Sequence, residues 1–376
     1  MTTSKRILIV DTCYPAFLES IGYSRSASPE DSYQQLREHF FTYRFGTSNA
    51  YSTNLLPLHW AAEEVIPNSL LLQSAWAREH GRRLSHRLAQ LPHSYLSRIP
   101  AVRSVTRLFP TFHRILEAQA SEFTPDVLYF QDLNFVPPPL LRKLRKRGAL
   151  IVGQIASPLP PPHILRSYDL ILSSLPNQVE QIRAAGVASE FLGIGFDTRL
   201  NTELKDLPRD LPVTFVGGVS RQHESTQPLL EAVAAADVGL SIFGYGAEQL
   251  PQHLQALHHG ERWGFDMYTE LRRSAITLNR HIRVAEGYSN NMRLFEATGV
   301  AATLVTDRGK NLHQYFNDDE VLSYSTVDEA VDCIRWALEH RDEARQMAER
   351  AQRRTTTEHS YESRMRDLDK ILRHAL

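Results

Sequence analysis

The first half of the chain alternates short apolar runs with segments of helical periodicity. RILIV (6–10) is a continuous apolar run, as in a strand buried on both faces of a parallel sheet. Residues 30–120 have a mostly helical pattern. After them, strands are predicted in PDVLYF, ALIVG, YDLILSS and EFLGIG, with the helices LLRKLRKRG and NQVEQIRAAG between them. This order predicts a series of βαβ units that ends near residue 195.

The second half repeats the pattern. Strands are predicted in LPVTFVG, VGLSIFG, SAITLN and VAATLVTD, with helices between them and a helical pattern from residue 327 to the end. The fold class is therefore α/β, with two Rossmann-like doubly wound domains that face a cleft. We place the first domain at 1–195 and the second at 196–360.

Composition narrows the function classes. Lys and Arg number 42 and Asp and Glu number 43, so no bulk positive charge favours nucleic acid. Cys13 and Cys333 lie too far apart in sequence for a recognisable zinc site or disulfide framework, which favours a reducing compartment. The apolar run near the N-terminus is too short for a signal peptide, and we expect a cytoplasmic protein.

Several strands of the second half end in glycine or in amide and charged residues. Gly217 and Gly218 follow one strand, with Arg221 shortly after, and Gly244 follows another. Asn279 and Arg280 end a third. Glycine permits close approach of a backbone to a ligand, and arginine grips phosphate with two donors. At one edge of a sheet these residues would form an anion site. A tight structural turn is an equally good explanation of each glycine.

A helix predicted over 290–298 carries Arg293 and Glu296 among apolar neighbours. The Glu296 carboxylate could accept two hydrogen bonds from a ribose diol, and Arg293 could bind phosphate or pair with Glu296. A surface ion pair of little energetic value is the alternative. The other candidate donor-binding residues are Ser289, Asn290 and Asn291. Glu286 could reach a sugar and is a candidate catalytic residue.

The stretch GYSNNMRLFEATGVAATLVTD, followed by NLHQYFNDDEVLSY and the closing HSYESR, resembles the donor domain of GT-B glycosyltransferases. It is most similar to the group-1 and spore-maturation (CgeB-like) families. The resemblance implies that the second domain binds a UDP-, GDP- or dTDP-linked sugar, with Glu296 on the ribose and Arg221 on the phosphates. It also implies that a C-terminal helix, about 361–376, crosses back to the first domain. The sequence departs from the retaining pattern at Tyr288, where a glutamate is expected, with Glu286 out of register.

In the first half, polar residues follow two predicted strands. They are Asp11, Tyr14, Gln131, Asp132 and Asn134. These side chains could face an acceptor, and a carboxylate such as Asp11 or Asp132 could act as a general base in an inverting enzyme. Capping or loop hydrogen bonding is the more common role for such residues.

Residues 78–116 carry eight arginines and one acid, Glu79. Such a face could touch anionic lipid at the inner membrane surface or a phosphate-bearing acceptor, and a solvated basic face is an equally good explanation. No metal-ligand spacing occurs among the histidines, so we expect no cofactor and no essential metal.

The sequence thus predicts a glycosyltransferase, of hexosyltransferase type, that acts on a glycan, lipid-linked or protein acceptor. Two alternatives remain: a sugar-nucleotide epimerase of the same fold, and a non-catalytic partner protein that binds a nucleotide sugar. The base, the sugar, the acceptor, the stereochemistry and the oligomeric state stay open.

Overall fold

The computed structural model describes residues 4–22, 30–82, 109–219 and 226–376. The chain divides into two compact units: Met1–Phe191 with Asp369–Leu376, and Leu192–Leu368. The domain division predicted at 195/196 falls just after the start of the second unit.

The first unit is built on one parallel sheet. Its strands are β1 Lys5–Val10, β2 Trp60–Val65, β3 Val127–Phe130, β4 Leu150–Gln154, β5 Leu170–Ser173 and β6 Ala188–Phe191. Its helices are α1 Pro15–Gly22, α2 Tyr33–Thr42, α3 Ala50–Leu55, α4 Leu70–Glu79, α5 Phe109–Phe123, α6 Pro138–Arg145, α7 Pro162–Leu165 and α8 Pro176–Ala184. The strand order is β2-β1-β3-β4-β5-β6, and every neighbouring pair is parallel.

The second unit has a smaller sheet of the same kind. Its strands are β7 Leu211–Val216, β8 Leu240–Phe243, β9 Ser274–Asn279, β10 Thr303–Asp307 and β11 Leu322–Tyr324, in the order β11-β10-β9-β7-β8. Its helices are α9 Leu200–Glu203, α10 Thr226–Ala235, α11 Gln252–Gln255, α12 Gly264–Arg273, α13 Met292–Gly299, α14 Leu312–Tyr315, α15 Val327–Glu339, α16 Arg341–Glu358 and α17 Tyr361–Ala375. All pairs are again parallel.

Alternation along the strands explains how the second sheet is covered. Phe215 of β7 packs in one apolar cluster with residues of α10 and α15, whereas Val216 packs in another with residues of α12, α13 and α16. Leu304 and Val305 of β10 divide between the two clusters in the same way. Successive side chains point to opposite faces of a strand, so both faces of this sheet are buried. That burial accounts for the continuous apolar runs of the sequence.

Strand β2 lies inside the segment whose pattern is mostly helical. Its sequence, WAAEEV, contains two alanines and two glutamates, which are poor strand formers. It nevertheless pairs with β1 over its whole length, from Lys5↔Trp60 to Val10↔Val65. Pairing with a buried neighbour thus overrides local propensity here.

The last helix ends within the first unit. Trp60 is buried, and its Nε1 donates a hydrogen bond to Asp369 Oδ1 at 2.6 Å. Arg373 also donates to the backbone oxygen of Leu58 at 3.0 Å. These contacts attach the final two turns of α17 to the edge strand β2.

Candidate functional site

The strand order of the second unit marks a topological switch point between β7 and β9. The chain leaves β7 toward β8 on one side, and then crosses to β9 on the other. In open parallel sheets, ligands bind at the carboxyl ends of the strands beside such a point. Gly217 and Gly218 directly follow β7, Asn279 ends β9, and Arg280 comes next. The structure therefore brings these four predicted residues to the edge where a ligand is expected.

The glycines have a structural reason of their own. Gly217 N donates to Phe243 O at 2.9 Å, and Val219 N donates to Tyr245 O at 2.8 Å. A Cβ on Gly244 would lie 2.0 Å from the Gly217 oxygen, and a Cβ on Gly218 would lie 2.1 Å from the Tyr245 ring. The loops after β7 and β8 therefore pack backbone against backbone, which requires glycine whether or not a ligand binds.

The Asn279 side chain connects neighbouring elements of the site through hydrogen bonds. Its side chain exchanges hydrogen bonds with that of Asn291, and Asn291 Nδ2 reaches Asn279 Oδ1 at 2.8 Å. Asn279 Nδ2 also donates to Thr306 Oγ1 at 3.0 Å. Asn291 is in turn the N-cap of α13, where its side chain accepts from Leu294 N. The two amides thus join β9, β10 and the start of α13.

Arg293 and Glu296 pair inside α13. Arg293 NH1 lies 2.8 Å from Glu296 Oε2, and both side chains are largely buried. Arg293 Nε also donates to Val216 O at 2.9 Å, which ties the helix to the end of β7. Glu296 Oε1 accepts from the Tyr268 hydroxyl at 3.2 Å. The polar pair therefore has partners on three elements and is not the surface pair that the sequence left open.

The hydroxyl of Tyr268 stays protonated in this arrangement. Burial, together with the charge of Glu296, raises the pKa of Tyr268 well above its usual value. A protonated phenol can donate to the carboxylate, which explains the hydrogen bond.

The loop before α13 carries the other predicted donor residues. Glu286 is exposed and has φ of 49°, and Tyr288 lies beneath Lys310, whose Nζ is 5.1 Å from the ring centre. Ser289 and Asn290 are buried. The Asn311 side chain accepts from Ser289 N at 2.6 Å and so holds the loop against the start of α14.

His281 and Asp307 form a pair that the sequence reasoning missed. His281 lies two residues after β9, and Asp307 ends the neighbouring β10. His281 Nδ1 lies 2.7 Å from Asp307 Oδ1, and the His281 backbone N–H donates to the same carboxylate at 3.1 Å. The sequence does show a histidine just after one predicted strand and an acid at the end of another. That the two side chains meet could be recognised only once the order of the strands in the sheet was known.

Three buried polar atoms in this part of the unit have no hydrogen-bond partner among the described residues. They are Nε2 of His281, Oγ of Ser289 and NH1 of Arg293, which lies at ion-pair distance from Glu296 without forming a hydrogen bond. Such orphaned atoms are rare in folded proteins, because an unmade hydrogen bond costs roughly 1–3 kcal/mol. A bound ligand with hydroxyl or phosphate groups would supply the missing partners.

In the first unit, the switch point lies between β1 and β3, and Asp11 and Asp132 stand there. The Gln131 amide lies 3.0 Å from Thr47 Oγ1 and, with its nitrogen toward Asp11, donates to Asp11 Oδ2 at 2.9 Å. Asp132 accepts from Thr12 Oγ1 and from Asn134 N, each at 2.9 Å. Asp132 thus has the loop hydrogen bonds that the sequence left as the alternative to catalysis.

Burial dominates the electrostatics of Asp11. Asp11 keeps some surface in contact with solvent, but its carboxyl group is deep enough that burial raises its pKa to about 7. The charges of Asp132 and Glu64 act in the same direction, and a hydrogen bond from the Thr12 backbone opposes them. A carboxyl group that titrates near neutral pH is suited to accept a proton from a hydroxyl.

Two predicted features fall on residues outside the described part of the chain. Arg221 is one of them. The other is most of the basic region 78–116, because residues 83–108 are not described. Both stay predictions.

Within the described ranges, no group of three or more His, Cys, Asp and Glu side chains could hold a metal ion. No helix in the same ranges has the length and apolar character needed to cross a bilayer.

Comparison with solved structures identifies the architecture. Sucrose-phosphate synthase from Thermosynechococcus elongatus matches with a TM-score of 0.58 at 12% identity, covering 98% of each chain. HepE from Anabaena, in complex with UDP and glucose, matches with a TM-score of 0.57 at 14% identity, covering 98% of this chain and all of that one. The chain has the GT-B fold.

A third GT-B structure is similar to the same extent. AviGT4, a glycosyltransferase involved in avilamycin A biosynthesis, matches with a TM-score of 0.56 at 13% identity, covering 99% of this chain and 98% of that one. At such identities the likeness establishes the fold alone.

The sequence itself matches one family model, described as glycosyl transferase-like, over residues 221–370. This range contains the His281–Asp307 pair, the loop before α13 and the Arg293–Glu296 pair. No curated protein sequence matches the chain significantly.

Proposed function

We propose that this GT-B protein transfers a sugar, of the hexose class, from a nucleoside diphosphate to an acceptor. The observation that carries the proposal is the set of orphaned polar atoms beside α13, at the carboxyl edge of β9 and β10. They lie next to the switch point and inside the range that matches the glycosyl transferase-like family. The UDP complexes of HepE agree with a nucleotide ligand for this fold.

Each part of the donor then has a suitable partner in the second unit. Arg280 follows β9 at the switch point, where a guanidinium stabilises the negative charge of a departing diphosphate. Each oxygen of Glu296 accepts one contact from the protein, which leaves lone pairs for the hydroxyls of a ribose. Arg221, Gly217 and the loop 286–291 complete the proposed donor site.

The proposed reaction breaks the bond between the anomeric carbon and the diphosphate oxygen, which leaves as a nucleoside diphosphate. An acceptor hydroxyl forms the new bond and loses its proton. We propose Asp11 as the base if the configuration inverts, because its carboxyl titrates near neutral pH. Cationic side chains replace a metal ion in this proposal.

Nucleotide binding tests the proposal directly. Thermal-shift titrations with UDP, GDP, dTDP and their glucose conjugates should raise the melting temperature for one base. Arg280→Gln should reduce the shift. Arg308→Gln is the matched control, because Arg308 follows the neighbouring β10 and is exposed. Absence of any shift at millimolar nucleotide would refute the proposal.

Turnover separates the transferase from its alternatives. The transferase should release nucleoside diphosphate only when an acceptor hydroxyl is present, apart from slow hydrolysis. Change of the donor sugar without any acceptor would instead identify an epimerase. Binding without either reaction, across glycan, lipid-linked and protein acceptors, would identify a binding protein.

A further inference from the structure

The His281–Asp307 pair fixes the chemistry of the histidine ring. Asp307 is held ionised: burial acts to raise its pKa, but hydrogen bonds from the His281 side chain and backbone, with the charges of His281 and Arg280, hold the pKa below its usual value. An ionised carboxylate can only accept hydrogen bonds. His281 Nδ1, 2.7 Å from Asp307 Oδ1, must therefore carry the proton.

The other ring nitrogen is left available. When Nδ1 is the donor, Nε2 is an acceptor in the neutral ring and a second donor in the protonated ring. The side chain is 5% exposed, and within the described part of the chain Nε2 finds no hydrogen-bond partner. A buried ring nitrogen without a partner destabilises the free protein, so its retention needs an explanation.

Groups of both charge signs lie around the ring, which favours a partner that can either donate or accept a hydrogen bond. Asp307 and Arg280 contribute one charge of each sign, and Tyr324, buried beside them, donates its hydroxyl to Asn279 O at 2.9 Å. Asp307 therefore has a counter-charge besides the imidazole. A hydroxyl can donate to Nε2 or accept from it and so suits either form of the ring, whereas an ionised phosphate oxygen can only accept.

We infer that His281 Nε2 forms a hydrogen bond with a hydroxyl of the transferred sugar, with Asp307 as the residue that orients the ring. This inference rests on the proposed donor site in the second unit. Nε2 has almost no accessible surface, so the hydroxyl arrives with a small movement of the loop between β9 and α13. His281 thereby distinguishes a nucleotide sugar from the bare nucleotide.

The test compares two ligands on the same variants. Calorimetric dissociation constants are measured for a nucleoside diphosphate and for its hexose conjugate, with the base that stabilises the wild type. His281→Asn keeps an amide donor near the Nδ1 position for Asp307 but removes Nε2. His313→Asn is the matched control, because His313 is exposed on α14.

The expected result is a loss of affinity for the sugar conjugate alone. In His281→Asn the sugar conjugate should bind roughly three- to tenfold more weakly, while the affinity for the bare nucleotide is unchanged. His313→Asn should match the wild type for both ligands. If His281→Asn fails to fold, His281→Ala removes the same nitrogen, and Asp307→Asn releases the ring that Asp307 orients; both should show the same selective loss.

Two outcomes overturn the inference. Equal weakening of both ligands would place His281 on the diphosphate, and no change for either would make the pair purely structural. Failure of the wild type to bind any nucleotide would be a different result, because it refutes the proposed function itself.

Discussion

Arg293 NH1 lies 2.8 Å from Glu296 Oε2 within one turn of α13, and both side chains are more than four-fifths buried. The ion pair joins the helix to β7 through Val216 O and to α12 through the Tyr268 hydroxyl. A buried pair of this kind is expensive to break, because the remaining partner keeps its charge without compensation. The pair therefore supports the shape of the proposed donor site as well as its chemistry.

Removing one partner of the Arg293–Glu296 ion pair should destabilise the folded protein. Glu296→Ala is expected to lower the free energy of unfolding by about 3–5 kcal/mol, since it leaves Arg293 buried and unpaired. Urea denaturation measures the change. Glu362→Ala breaks the exposed pair with Arg366 in α17 and should cost under about 0.5 kcal/mol. A similar small loss in both variants would contradict the role given to the buried pair.

The loop contact after β7 and β8 makes a second prediction. Gly244→Ala should lower the free energy of unfolding by about 2–5 kcal/mol, because φ is 131° and the new Cβ would meet Gly217 O at 2.0 Å. Gly148→Ala is the control: φ is 92°, but nothing lies within 4 Å. It should cost only about 1–2 kcal/mol. Equal losses would show that backbone conformation alone explains the glycine.

His359 should make stability depend on pH. It is held neutral, since Nε2 donates to Tyr315 O at 3.0 Å and Nδ1 accepts from Arg364 NH2 at 2.8 Å. Burial lowers the pKa of His359 to about 4, and the charge of Arg364 acts in the same direction. The unfolded chain takes up this proton near pH 6.5, whereas the folded protein does so only near pH 4.

Stability linked to His359 is therefore complete above about pH 6.5 and is lost as the pH falls toward 4, by about 3 kcal/mol. The measurement is the difference in unfolding free energy between the wild type and His359→Asn, taken at several pH values. A difference that stays constant from pH 7 to pH 4 would be evidence against a neutral, buried histidine.

Asp11 should make the free energy of unfolding depend on pH in the opposite direction to His359. Burial raises its pKa to about 7, so the folded protein resists ionisation that occurs near pH 4 in the unfolded chain. Stability should fall between about pH 4 and pH 7. Asp11→Asn should consequently be more stable than the wild type at pH 8, by about 2–4 kcal/mol, and nearly equal to it at pH 3.5.

The same substitution should remove catalysis if Asp11 is the base. In the wild type, kcat/KM should rise with an apparent pKa near 7, and this dependence should disappear in Asp11→Asn together with most of the activity. Full activity in the variant would leave Asp11 without a catalytic role, whatever its effect on stability.

The sequence by itself determined the architecture, because burial on both faces of a parallel sheet leaves continuous apolar runs such as RILIV and VAATLV. Glycines and polar residues at strand ends also indicated that a site would lie at the carboxyl edge of each sheet, and the structure places those residues at that edge. The roles of the individual glycines could not be read from the sequence. Gly244 is explained by its contact with the Gly217 backbone and Gly218 by its contact with the Tyr245 ring, and loop packing of this kind has no periodic signature in sequence.

Only the tertiary structure decided which side chains meet and how deeply each one is buried. Strand β2 forms from a poor strand sequence because β1 offers it a complete row of backbone partners. His281 meets Asp307, 26 residues later, because parallel pairing sets β9 beside β10 and aligns their carboxyl ends. Asp11 and Asp132 are alike in sequence, but only the tertiary structure shows that the Asp11 carboxyl is buried deeply enough to raise its pKa. Burial and strand neighbours depend on the whole chain at once, and for that reason local patterns do not reveal them.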